Sequence, residues 1–267
     1  MTLRTAPSWE GVALSALPVL AAIVILAMRR LGQVRPLVVA LVRLTIQMVL
    51  LGMLLDWLFA VRRPEIVVMV AMAMLLASAQ VVGSRLDRGH WVLRGQSFLA
   101  MGSSVALVVG VSVRLGLKLD VWYEPRVVIP LIGMILGNSV TGVALAAERL
   151  EGDLRSGRDL VELRLSLGAT ARQAALPALK AAVKAALTPA INNMMIAGIV
   201  AIPGMTTGQL LSNAPVQGAI RYQILIYLGI TGTVALSTLG LLALRLRTYF
   251  TADDQLRADR LGSDLGS

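Results

Sequence analysis

Long apolar runs separated by short polar connections set the first expectation for this chain. Apolar stretches fall at about residues 11–28, 37–60, 65–83, 96–113, 127–147, 189–210 and 222–244. Each approaches the roughly 20 residues that an α-helix needs to cross the hydrocarbon core of a bilayer. Seven such runs predict an all-α, polytopic membrane protein, with residues 1–267 forming a single transmembrane domain. Burying them all in a soluble fold would leave too little polar surface.

The longest connection, about 148–188, is patterned rather than featureless. Leu160, Leu163, Leu167, Ala171 and Ala174 recur at helical spacing, with charged residues on the other face. Asp159 is placed to cap that helix, and Gly168 to interrupt it. A short amphipathic helix of this kind lies on the lipid surface, packs on a neighbouring span, or docks into the groove of a partner protein.

Polar residues inside the apolar runs carry the next expectations. Arg43 and Gln47 are four apart and share a helix face; an arginine there either snorkels to the interface or is functional. Gln80, Gln96, Ser103 and Ser104 read as hydrogen-bonding glue between helices. In the fifth run, Gly133 and Gly137 form a small-xxx-small pair, and Asn138, Ser139 and Thr141 place three polar groups at mid-span. The sixth run reads PAINNMMIAGIVAIPGMTTGQLL from Pro189 to Leu211. Asn192 and Asn193 open it, Met194 and Met195 suit irregular packing, and Pro203-Gly204 should break the helix. These residues define a candidate translocation path (Arg43, Gln47, Asn138, Ser139, Thr141, Asn192, Asn193, Met194, Met195) and a candidate hinge or gate (Pro203, Gly204, Met205, Gly208, Gln209).

Composition agrees with the pattern: 57% of residues are hydrophobic, 15% are charged, and the mean hydropathy is +0.76. Cysteine is absent and His90 is the one histidine, so neither a thiolate nor a poly-histidine metal set is available. The net charge of +10 reads as basic membrane-flanking loops rather than a nucleic-acid surface. Only Arg4 precedes the first run, whereas Arg29, Arg30 and Arg35 follow it, which favours an uncleaved span over a signal peptide. With the N-terminus outside, 17 basic residues fall in cytoplasmic pieces (among them Arg85, Arg88 and Arg94) and seven outside (Arg4, Arg62, Arg63, Arg114, Lys118, Arg126, Arg221). The positive-inside rule therefore predicts N-out, C-in. The three lysines are Lys118, Lys180 and Lys184, and none follows a glycine, so no P-loop is present. Any ATP-driven activity requires a separate ATPase subunit, and no cofactor or metal site of the chain's own is expected.

Three segments, MILGNSVTG (134–142), INNMMIAGIVAIPGMTTGQLL (191–211) and AIRYQI (219–224), closely resemble the FetB-like ABC permease family. Bacterial iron-export permeases and plant permeases linked to aluminium tolerance belong to it. Glu162, followed six residues later by Gly168 and Ala169-Thr170-Ala171, resembles the coupling loop of ABC permeases, although Leu163 and Arg164 stand where that loop has alanines. The resemblance implies a homodimeric permease in the plasma (inner) membrane, driven by an ATPase subunit and exporting iron or another metal species. It also implies coupling through Asp159, Glu162, Leu163, Leu167 and Gly168. Thr206 departs from a methionine common in the family, which bears on the substrate. The competing expectation is a stand-alone secondary transporter or channel; a membrane enzyme is disfavoured because the acidic residues of the loop are interleaved with bases.

Overall fold

All regular elements among the described residues of the computed structural model are helical. The description covers residues 8–29, 32–61, 63–85, 90–117 and 121–261, without the side chains of 90 and 258. Arg4, Arg30, Arg62, Arg88 and Lys118 of the charge pattern, and the His90 side chain, lie outside it. The chain divides into two compact units, Met1–Arg62 and Arg63–Ser267.

The first unit contains α1 (Trp9–Ser15), α2 (Leu17–Met28) and α3 (Val34–Ala60). Ser8 starts α1 by accepting a hydrogen bond from the Gly11 N–H at 3.1 Å, an N-cap. Pro18 in the first turn of α2 lacks a backbone donor, and the expected first span accordingly arrives as two helical pieces meeting at Ala16.

The second unit contains α4 (Pro64–Gly83), α5 (His90–Val111), α6 (Pro125–Ser156), α7 (Arg158–Ser166), α8 (Ala171–Ala174), α9 (Leu176–Ile196), α10 (Gly204–Leu211) and α11 (Val216–Tyr249). A π-helical turn, Ser112–Gly116, extends α5. Small residues set the spacing of this bundle. A Cβ added at Gly142 of α6 would come within 3.0 Å of the Ala186 carbonyl of α9 and 2.7 Å of Val234 on α11. Gly240 of α11 faces Ala100 of α5, and Gly83 of α4 faces the Arg94 side chain. Gln96 of α5 donates to the Leu244 carbonyl and to the Thr248 hydroxyl, at 3.1 and 2.8 Å, tying α5 to α11. At one end of the unit the C-terminal ends of α6 and α11 meet the start of α9. Leu150, Leu154, Val161, Ala175, Ala178, Tyr249 and Leu261 form one buried cluster there.

Among the described residues, six stretches are long and apolar enough to cross a membrane: Trp9–Met28, Val34–Ala60, Pro64–Gly83, Trp91–Gly116, Pro125–Ser156 and Val216–Tyr249. The seventh expected run, 189–210, is not one helix. α9 ends at Ile196, and α10 begins only at Gly204. The break therefore comes before Pro203, at Ala197–Ile202, where Gly198 adopts φ +79° and its N–H donates forward to the Ala201 carbonyl. Pro203 instead precedes the first turn of α10 as its N-cap, a position where a missing donor costs little. Pro130 and Pro189 both sit inside helices without ending them. The expected 148–188 connection is also shorter, because α6 continues to Ser156 and α9 starts at Leu176.

Candidate functional site

The segment between α6 and α9 (residues 157–175) is built from both faces of a very short helix. α7 turns Val161 and half-buried Leu165 inward onto the core cluster. Its other face leaves Leu160, Leu163 and Leu167 exposed, at 51%, 54% and 79%. The expected single stripe from Leu160 to Ala174 is thus two surfaces on two helices: Ala174 is buried on α8 and the three leucines face outward. Asp159 does not cap the helix. Gly157 occupies the N-cap position, and exposed Asp159 sits in the first turn, where a negative charge favours the helix dipole.

Glu162 is exposed and paired with Arg158 at 2.7 Å. Gly168 has φ +88°, a left-handed conformation that side chains resist, and it turns the chain sharply after α7. Thr170 then opens α8 with a capping box, its hydroxyl accepting from Gln173 N while the Gln173 side chain accepts from Thr170 N. Arg164 reaches across to donate to the Ala174 carbonyl at 3.1 Å. The C-terminal segment completes the arrangement: Asp254 Oδ1 accepts from the Ala171 N–H at 2.8 Å, and Leu261 is buried in the same cluster.

Directly beneath lies an ionic network that sequence reasoning missed. Glu151 of α6 pairs with Arg245 of α11 at 3.3 Å and with Arg155 at 3.1 Å. Tyr249 donates its hydroxyl proton to Glu151 Oε2 at 2.6 Å and accepts from Arg245, whose guanidinium also lies over the Tyr249 ring. Glu151 and Arg245 are almost wholly buried, at 3% and 2% exposed. Arg245 falls just past the expected span 222–244, and α11 continues through it to Tyr249, so a residue expected in a polar connection is instead sealed between helices. The sequence shows only two local i, i+4 pairs, Glu151/Arg155 and Arg245/Tyr249, each on one helix face, and not that they meet.

The candidate path residues separate into distinct environments. Arg43 and Gln47 are exposed on α3 of the first unit. In the second unit Asn138 and Thr141 lie on the exposed face of α6, and Thr188, Asn192 and Met195 on that of α9. The Gly142–Ala186 contact and the antiparallel run of these two helices bring Asn138 close to the level of Ala190. Asn138 donates to the Met134 carbonyl of its own helix at 2.8 Å. Ser139 points into the bundle, where it bonds the Ile135 carbonyl at 2.8 Å, and does not share the exposed face. Asn193 is exposed, whereas Met194 packs inward and its sulfur accepts from the Thr231 hydroxyl at 3.3 Å.

Of the two glycines expected to let helices approach, Gly137 faces open space and Gly133 meets only the end of Met74; Gly142 provides the close approach. Around the hinge residues, Gly204 and Gly208 are exposed and Met205 is half-buried on α10. Thr206 is buried and donates to Gln223 of α11 at 3.0 Å, so it ties α10 to α11. The Gln209 side-chain oxygen is buried without a hydrogen-bond partner.

Helices of this length and polarity define a multi-pass, all-α membrane protein. The family UPF0014, described as "Uncharacterised protein family", matches residues 9–250, and the chain belongs to it. It is 36% identical over 214 residues to the UPF0014 membrane protein slr1647 of Synechocystis sp., covering 80% of this chain and 83% of that one. It is 27% identical over 255 residues to the "Probable iron export permease protein FetB" of Escherichia coli, covering 94% and 96%. With "Protein ALUMINUM SENSITIVE 3" of Arabidopsis thaliana it shares 29% identity over 223 residues, covering 82% and 79%. No solved structure matches.

Proposed function

We propose that the chain is the membrane-spanning permease subunit of an ATP-driven transporter that exports iron or another metal species. A separate ATPase subunit supplies the energy, and two copies of the chain form the permease. The observation that carries the reading is the exposed ridge of Leu160, Leu163 and Leu167 on a short helix whose opposite face is locked into the core. Three leucines in water are unfavourable unless a partner covers them. A helix laid in a partner's groove is a recurring solution. The near full-length similarity to a protein named for iron export supports the substrate class.

In this reading Glu162, Leu163, Leu167 and Gly168 dock on the ATPase in the cytoplasm, with the N-terminus outside and the C-terminus inside the plasma membrane. ATP binding displaces the 157–175 segment, and the displacement passes into α6 and α9. Exposed amides and hydroxyls in lipid need partners, so Asn138, Thr141 and Asn192 face a second copy across a polar path. The break at Ala197–Ile202 serves as the gate. The test is ATPase activity of the reconstituted complex. Glu162→Lys and Gly168→Trp are expected to lower permease-dependent ATPase activity at least about tenfold, which corresponds to about 1.4 kcal/mol. Full coupling in both variants overturns the docking assignment.

The buried Glu151–Arg245 pair favours a second reading, in which an ion gradient drives a stand-alone transporter. Metal flux in ATP-free vesicles, abolished by Glu151→Gln, is the result that supports it.

A further inference from the structure

Between α8–α9 and α11 lies a cleft of about 900 Å³ that the docking ridge and the polar path do not use. Its floor is apolar: Leu179 and Val183 of α9 face Leu239, Leu242, Leu246 and Phe250 on α11 and its C-cap. Its rim is cationic. Arg172, Lys180 and Arg247 all line it and are exposed, and none of the three makes a hydrogen bond or ion pair among the described residues. The single carboxylate present, Asp254, is already engaged by the Ala171 N–H. From Arg247 down to Leu239 is eight residues, about 12 Å along the helix at 1.5 Å per residue. The cleft is therefore charged at the end of the bundle and greasy one to two turns deeper.

We propose that this cleft binds one anionic phospholipid from the leaflet bordering the 157–175 end. Its phosphate sits among Arg172, Lys180 and Arg247, and the upper part of an acyl chain lies against the Leu239–Leu246 face of α11. Three cations against one occupied carboxylate favour a net-negative headgroup over a zwitterionic one. Basic pockets between helices at a membrane surface suit such headgroups. An inorganic anion would answer the cationic rim alone and leave the leucine floor uncovered, whereas a lipid matches both. The lipid would bridge α8 and α9 to α11, and so add a contact between the 157–175 segment and the last helix. The inference does not depend on the transport reading, since it concerns only lipid retention.

Native mass spectrometry of the full-length chain, exchanged into nanodiscs of phosphatidylglycerol or phosphatidylcholine, tests it. Phosphatidylglycerol should be retained preferentially. Arg172→Gln, Lys180→Gln and Arg247→Gln should each weaken that retention by about fivefold, the effect of losing one surface cation. Ala243→Trp, which places an indole in the floor, should remove the lipid with all three cations intact. Equal retention of the two lipids, or no change in the glutamine variants, overturns the proposal. Displacement of the lipid by millimolar inorganic phosphate also overturns it, in favour of an anion site. Photoactivatable phosphatidylglycerol on the unsubstituted chain supplies a check that needs no variant. Crosslinks should map to peptides containing Val183 and Leu242; crosslinks elsewhere, or a second protein chain protecting the cleft, count against it.

Discussion

Glu151 decides more at the residue scale than its place in a helix tail suggests. A carboxylate this deeply buried is costly unless charged and hydrogen-bonding partners surround it, and Arg245, Arg155 and Tyr249 supply them. Removing one member strands the others, so Glu151→Ala should lower unfolding stability by about 3–5 kcal/mol. Glu151→Gln keeps an acceptor for Tyr249 and should cost less. Thermal or denaturant unfolding in detergent micelles reads both, and equal stability of all three proteins would remove the network as a structural anchor. The sequence revealed the residue types of this site but not their meeting. Glu151 and Arg245 are 94 positions apart, and charge patterning alone places both in polar connections. Nothing local distinguishes a solvated arginine in RLRTY from one sealed between α6 and α11; that depends on which helices pack. Gly168 was legible for the opposite reason, because its role is a property of its own backbone.

At the scale of elements, long apolar runs were readable and their interruptions were not. Hydropathy located α3, α4, α5, α6 and α11 well, since each fills a stretch of sustained apolar composition. It misplaced the break after α9, because proline at a helix N-cap and proline inside a helix look alike in sequence. Gly198, in the left-handed region, marks the true end. The short helix α8 is likewise a tertiary product: four residues do not hold a helix alone. Its capping box and the Asp254 carboxylate fix its N-terminal donors. Asp254→Ala should therefore loosen α8 without unfolding the bundle. Losing this charge-assisted bond, worth about 1.5 kcal/mol, should speed amide exchange at Ala171 by about tenfold. Hydrogen-exchange mass spectrometry over 169–176 checks this, and unchanged protection would mean that the capping box suffices.

For the whole molecule, the charge distribution predicts N-out, C-in topology, and the chain offers a clean way to measure it. It contains no cysteine, so every introduced thiol reports alone. Single cysteines at Ser8, Ser166 and Thr251, probed with a membrane-impermeant maleimide on intact cells, should label only at Ser8. Labelling at 166 from outside would invert the assigned sidedness and with it the docking surface. The buried cluster at the 157–175 end has a further consequence, one of timing during synthesis. Val161 and Leu261 belong to the same core, yet a hundred residues separate them. At roughly 5–20 residues per second, translation leaves the inner face of α7 without its last partner for about 5–20 s. For the later two thirds of that interval α6 and α9 are both made while the segment between them still lacks that partner. The newborn chain thus passes through a stage in which this surface is open to chaperones and proteases, and the segment around Leu261 closes it.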